Sequence, residues 1–265
     1  MTVPLRAAAL EVDIRIGDVE GNLERIRTAL ERGAASGARL IVLPELATSG
    51  YLFDDVAEAA QAALTRDDPR LDALRAALPS GVVAVLGYLE CDGDRLYNSA
   101  VVLTADAIIG QYRKAHLWDR ESELFEVGDS AGAVFDTPVG RLGVAICYDN
   151  EFPEVPRALA LAGADVLALP VNWPLVPRPD GEHAPAVIQA KGSARSSRLP
   201  TVIADRLGSE RGVAWTGGTT VIDGDGWIAA VSDDGVALAD LTLTPGDKAL
   251  SPRNDLFGDR RPDLY

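Results

Sequence analysis

Apolar positions in this chain fall into short, dense runs separated by polar turns, and most of the runs are strand-length. A strand is expected over 5–12. From 22 to 34 the residues Leu23, Ile26, Ala29 and Leu30 recur at the i, i+3, i+4 spacing that puts an apolar stripe on a helix. A strand over 39–43 and a turn at Ser49-Gly50 follow. Segments 55–64 and 69–78 read as helices, the second with Pro69 in its first turn, where a missing N–H costs little. Residues 82–89 are β-branched and apolar enough for a buried strand. Two hairpins are expected, one joining 98–103 to 107–112 and one joining 134–137 to 141–146. Helix 154–162, strand 166–169, helix 187–197 and strand 201–205 come next. The last third turns to short strands at 219–222, 227–231 and 236–240, with Gly224-Asp225-Gly226 as a hairpin turn. Segment 245–265 is rich in Pro, Asp and Arg and reads as a tail lying on the surface or on a partner subunit. No solenoid repeat and no Ser/Gly linker interrupts the chain. The pattern predicts one α/β domain over 1–265, with mixed parallel and antiparallel strands.

Composition narrows the function classes. The 265 residues are 47% hydrophobic and 25% charged, as in an ordinary globular protein with a substantial core. A net charge of −15 argues against nucleic acid and anionic membrane as partners, since both need a basic face. No apolar run approaches the ~20 residues of a membrane span. The early Glu11 and Asp13 do not fit a signal peptide, so a cytoplasmic location is expected. The only cysteines, Cys91 and Cys147, read as free thiols. His116 and His183 have no second ligand at metal spacing, so no metal is expected. His116 reads as a packing or hydrogen-bonding residue, and no phosphate-binding loop or other cofactor motif occurs.

Three predicted strands end in chemistry. Leu40-Ile41-Val42-Leu43 runs into Pro44-Glu45, 107–112 runs into Arg113-Lys114, and Leu142-Gly143-Val144-Ala145-Ile146 runs into Cys147-Tyr148-Asp149. A thiol on a sharp turn from strand to helix can point into a crevice beside backbone N–H groups able to hold an oxyanion. Carboxylate, ammonium and thiol together are the parts of a covalent acyl-transfer site. The thiolate is the reactive form, and a nearby ammonium favours it. Lys114 and the Tyr148 N–H can hold the developing charge. Glu45 can take the thiol proton, protonate a departing amine and later activate water. Taken singly, each residue has a plainer reading: Cys147 as inert core, Lys114 as a solvated surface charge, Glu45 as a helix cap.

These strings resemble the carbon–nitrogen hydrolase (nitrilase) superfamily. The matching segments are Leu43-Pro44-Glu45 with Ser49-Gly50-Tyr51, then Tyr112-Arg113-Lys114-Ala115-His116-Leu117. The third is Gly143-Val144-Ala145-Ile146-Cys147-Tyr148-Asp149, continued by Glu151-Phe152-Pro153-Glu154. The resemblance implies Glu45, Lys114 and Cys147 as catalytic residues and Glu121 as a second glutamate, with Glu123 the competing choice. It implies a four-layer αββα sandwich that dimerises through helices, here helix 154–162 and the tail. The helix's stripe of Val155, Leu159, Leu161 and Ala162 serves equally well for packing on its own sheet. Tyr51, Trp118, Tyr148, Asn172 and Trp173 are then the expected substrate-binding wall, although Trp173 between prolines can also simply pin a loop.

Cys147-Tyr148-Asp149 followed by Phe152-Pro153-Glu154 looks like the amidase-type members. The resemblance therefore implies cofactor-free hydrolysis of a small carboxamide through a Cys147 thioester. Nitrile or N-carbamoyl amide hydrolysis is the alternative on the same fold. A catalytically silent dimeric scaffold is the alternative of another class. Two strings depart from the family pattern, Arg195-Ser196-Ser197-Arg198-Leu199 and Ala204-Asp205-Arg206.

Overall fold

The structure is a computed structural model and describes residues 2–264, so Met1 and Tyr265, the ends of the expected 1–265 span and of its tail, lie outside the described residues. The first sheet is built from β1 (Val3–Leu10), β2 (Leu40–Val42), β3 (Leu64–Thr65), β4 (Val83–Asp92), β5 (Arg95–Thr104) and β6 (Ile108–Arg113). The second holds β7 (Ala133–Thr137), β8 (Gly140–Val144), β9 (Val166–Pro170) and β10 (Thr201–Ala204). After a small hairpin of β11 (Ser209–Glu210) and β12 (Val213–Ala214), the second sheet gains β13 (Thr220–Ile222) and β14 (Ile228–Val231). The long β15 (Val236–Leu243) then returns to the first sheet. It lies antiparallel to β1 from Val3↔Leu243 to Leu10↔Val236.

Strand order is β15-β1-β2-β4-β5-β6 in one sheet and β14-β13-β10-β9-β8-β7 in the other. The inward positions Leu5, Ala7, Ala9, Leu40, Val42, Val83 and Val85 pack toward Leu142, Val144, Leu167 and Leu169 of the second sheet. The opposite face of the first sheet is covered by α1 (Val19–Ala35), whose Leu23, Ile26 and Leu30 are buried on it. Each such side chain contributes about 1.5–3 kcal/mol. The Asp18 side chain accepts from the Gly21 N–H at 3.1 Å and starts that helix. The second sheet is backed by α5 (Glu154–Leu161) and α6 (Pro185–Ser197). The layers are therefore α, β, β, α, as the resemblance implies.

Several boundaries move from their expected places. The helix expected over 55–64 is α2 (Val56–Gln61), which stops early because Leu64 and Thr65 pair with Glu90 and Cys91 of β4. The helix over 69–78 is α3 (Pro69–Ala73), tightening into a 3₁₀ turn over Leu74–Ala77. Strand 141–146 ends at Val144, two residues short, as the chain prepares the turn at Cys147. The α5 stripe divides: Val155 and Leu159 are buried, whereas Leu161 is exposed. The tail is folded, not loose: β16 (Ala249–Ser251) and β17 (Asn254–Asp255) pair, and Lys248 Nζ donates to the Arg198 carbonyl at 3.0 Å. No helix among the described residues is long and apolar enough to cross a membrane.

Candidate active site

The C-terminal ends of β2, β6, β8 and β9 open on the same side of the sandwich, where Glu45, Lys114, Cys147 and Asn172 sit just past them. Glu45 is held in a tight turn. Gly87 of β4 donates its N–H to the Pro44 carbonyl at 3.0 Å and accepts from Ala47 at 2.9 Å. A Cβ at Gly87 would lie 2.5 Å from both Glu45 Cα and Leu46 N, so only glycine permits this approach. Leu46 takes a left-handed φ of 47°. Together these turn the Glu45 side chain inward, with no exposure to solvent.

There it meets Lys114. Lys114 Nζ donates to Glu45 Oε1 at 2.7 Å and to both Glu121 oxygens at 2.9 and 2.8 Å. Asn98, in the middle of β5, donates from one amide nitrogen to Glu45 Oε1 (2.7 Å) and Glu121 Oε1 (2.9 Å). The Trp118 N–H donates to Glu121 Oε2 at 2.7 Å. Glu121, in the short α4 (Glu121–Leu124), is thus the glutamate brought into the cluster. Glu123 lies on the surface beside Arg120, 3.3 Å away.

Two carboxylates and one ammonium sealed from water form a costly arrangement, viable only because every charge has a close partner. Burial pushes the Glu45 carboxyl up to about 7, against the pull of Lys114. Burial on its own would lower Lys114, but Glu121 and Glu45 outweigh it and hold the ammonium well above its ordinary value.

Cys147 begins a 3₁₀ turn, Cys147–Glu151, and has a left-handed φ of 47°, a strained conformation for a residue with a side chain. Asp149 holds that turn. Its carboxylate accepts from the Ile146 N–H at 2.9 Å, the Tyr112 hydroxyl at 2.8 Å and the His116 N–H at 3.1 Å. His116 Nδ1 lies 2.7 Å from the same carboxylate, and its ring stacks on Phe152 at 3.9 Å, the packing and hydrogen-bonding role expected of it.

Lys114 favours the thiolate as expected, but the rest of the surroundings of the sulfur outweigh it. Lys114 does pull the Cys147 pKa down, but burial and the charge of Glu45 push it well above the ordinary value. The resting sulfur is a neutral thiol. Both cysteines are free.

Cys147 opens on a cavity of about 350 Å³ whose wall includes Trp118, Tyr148, Asn172 and Trp173. A second cavity of about 280 Å³ shares Trp118 and Asn172 and adds Tyr51 and Trp215. All five expected wall residues therefore line one or both. Asn172 ties the two sheets together, its Nδ2 donating to the Glu45 carbonyl at 2.9 Å, while its backbone N–H reaches the Cys147 sulfur.

The departing string Ala204-Asp205-Arg206 lies under this wall. The Asp205 carboxylate accepts from the N–H groups of Trp173 (3.2 Å), Arg206 (2.8 Å) and Gly218 (2.8 Å), and burial pushes it up to about 7. Arg206 pairs with Glu210 at 2.9 Å, and Glu210 accepts from the Tyr51 N–H at 2.9 Å. The other departing string faces away: Arg195 and Arg198 reach Asp225 at 3.0 and 2.6 Å.

Asn98 and Trp215 escape a reading by strand ends, because Asn98 lies inside β5 and Trp215 beyond the matching strings, whereas Asp205, just past β10, stands out in the sequence only as part of a departing string. A signal for Asn98 is nevertheless present, the one amide side chain in β5 and buried there.

Comparison with known proteins agrees with this geometry. The family model for carbon–nitrogen hydrolase matches residues 6–244. A protein named nitrilase from Pyrococcus abyssi is 36% identical over 269 residues, covering 98% of this chain and 99% of its own. An (R)-stereoselective amidase from a Pseudomonas species is also 36% identical, over 211 residues, covering 79% of this chain and 74% of its own. Among solved structures, an amidase from Nesterenkonia sp. superposes with a TM-score of 0.79 at 24% identity, covering 98% of this chain and 94% of that one. That likeness bears on the fold.

Proposed function

The chain belongs to the carbon–nitrogen hydrolase family, and from that premise we propose that it hydrolyses small carboxamides to a carboxylic acid and ammonia through a thioester on Cys147. The observation that carries the reading is the sealed Glu45–Lys114–Glu121 cluster beside a thiol in a left-handed turn that opens on a cavity. A silent scaffold gains nothing from burying three charges at such cost.

Chemistry follows from the protonation states. The thiol attacks the amide carbon and passes its proton to Glu45, which accepts it near neutral pH because burial raises its carboxyl to about 7. The oxyanion is met by Lys114 and by the N–H of Tyr148, which lies in the first turn of the 3₁₀ segment and so needs no acceptor within it. Collapse breaks the C–N bond. Glu45 returns the proton, ammonia leaves, and R–CO–S–Cys147 remains. Water, deprotonated by Glu45, then attacks the thioester, releasing R–COOH and restoring the thiol. Glu121 grips Lys114 with both oxygens and keeps its Nζ in place. No cofactor enters this scheme.

A cavity of about 350 Å³ with aromatic walls fits a small acyl group. Trp118, Tyr148, Asn172 and Trp173 are assigned as its substrate contacts, with Tyr51 contributing from the adjoining cavity. We further assign the chain to a single domain and place a homodimer contact at α5 and the C-terminal segment, where Leu161 and Leu250 are exposed.

The test is ammonia release from amides, nitriles and N-carbamoyl compounds by wild type and Cys147→Ala. Amide turnover that vanishes in the variant, with an acyl adduct on Cys147 in wild type by mass spectrometry, is expected. Release from nitriles alone, or full activity in Cys147→Ala, refutes the reading.

A further inference from the structure

We propose that the cavity above Cys147 selects amides whose acyl chain carries a cationic nitrogen, and that Glu151 is the residue that selects them. The inference rests on the amidase reading of that cavity. Among the described residues that line it, Glu151 bears the only charged side chain; the rest of the wall is aromatic, aliphatic or neutral polar. Glu151 closes the same 3₁₀ turn that Cys147 opens. At about 2 Å of rise per residue, its backbone lies on the order of 8 Å from that of the nucleophile along the turn axis. A substrate reaching from one to the other therefore needs a chain of several methylenes between its amide and its charge.

The surroundings of Glu151 suit a cation. Trp118 and Tyr148 meet edge to face at 4.9 Å and 67°, and Trp173 joins them in the wall, so ring faces are available to an ammonium group. No Lys, Arg or His forms an ion pair with Glu151 among the described residues. Burial pushes its carboxyl up and a hydrogen bond from Asn150 pulls it down. Glu151 is exposed at the edge of the cavity, where a bound cation can pair with it. The net charge of −15 also draws cations toward the surface. One guanidinium touches the cavity wall: Arg178 Nη1 donates to Thr216 Oγ1 at 3.1 Å. It occupies a separate depression with Glu182 and His183 and does not line the cavity itself.

The test compares kcat/KM for ammonia release from 5-aminopentanamide, from hexanamide (methyl in place of ammonium) and from glutaric acid monoamide. Wild type, Glu151→Gln and Glu151→Lys are each assayed as the full chain. In wild type the cationic amide is expected to exceed hexanamide on the order of tenfold, with the anionic amide poorest. Whichever way absolute rates move, the ratio of cationic to neutral amide should fall to about one in Glu151→Gln and invert in Glu151→Lys. Added salt should shrink the wild-type ratio.

Equal use of the ammonium and methyl compounds by wild type, or an unchanged ratio in Glu151→Gln, overturns the inference. Preference for the anionic amide overturns it in favour of Arg178. Turnover of neutral amides without charge preference defeats the inference alone. No turnover of any amide defeats the amidase reading, and the inference with it.

Discussion

Replacing Glu45 by Gln should make the protein more stable while disabling it. The carboxyl is fully buried and rises from 4.5 to about 7 on folding, chiefly through lost hydration. A carboxyl raised in the folded state favours folding only while it holds its proton. The effect is absent below 4.5, where both states are protonated. It grows as pH rises through the interval and is complete above about 7. There, ionised Glu45 costs about 3 kcal/mol of folding free energy. Gln matches the shape of the neutral acid and can still accept from Lys114 and Asn98, so the variant escapes most of that cost. For a chain of this size the gain corresponds to a Tm increase on the order of 5 °C at pH 8, shrinking toward nothing near pH 4.5. Thermal unfolding of both proteins across pH 4.5–8.5, followed by circular dichroism, reads the difference directly. Loss of the base should lower kcat by about 10²–10⁴ in the same preparation. A Tm difference that is the same at pH 5 and pH 8, or a variant less stable at pH 8, would refute the reasoning from burial.

Other expectations follow from the same geometry. The wild-type kcat/KM for an amide should rise with pH through about 7, as Glu45 loses its proton; a profile flat from pH 6 to 8 counts against Glu45 as the base. Lys114→Met should lower kcat by about 10²–10³, the usual loss for one oxyanion donor. It should also destabilise the fold by about 3–5 kcal/mol above pH 7, because Glu45 and Glu121 are left buried without a cation; wild-type rates in this variant would remove Lys114 from the chemistry. Gly87→Ala should displace the Glu45 turn and reduce activity at least tenfold while leaving the cysteine alkylable, since the new Cβ meets backbone that cannot move aside. Retained activity in Gly87→Ala would show that the turn is more pliant than this contact implies.

Much of the architecture is legible in the sequence because it depends on local pattern. Leu40–Val42 and Val166–Pro170 are short, wholly apolar and bounded by breakers, and they can be little other than central strands. The α1 stripe announces its buried face. The positions of Glu45, Lys114 and Cys147 follow from strand ends, and the aromatic wall from polar–aromatic strings beside them. What escapes depends on contacts distant in sequence. Nothing local tells Leu64 and Thr65 to leave a helical segment for the edge of β4. Asn98 earns its place only because β5 runs antiparallel between the strands that carry Glu45 and Lys114. The protonation state of Cys147 is set by burial, which spacing does not reveal, so the ammonium beside it looks stronger on paper than it is in the folded chain.

The union of β1 with β15 bears on how the chain is made. Val3 finds its partner at Leu243, nearly the whole length of the protein away. At about 5–20 residues per second, β1 leaves the ribosome roughly 10–50 s before the strand that covers its outer edge. During that interval the edge of an apolar strand is open to pairing with another nascent chain. Contacts so remote in sequence also slow folding after release. A product ending before residue 236 would retain Glu45, Lys114 and Cys147, yet keep that edge uncovered and aggregate.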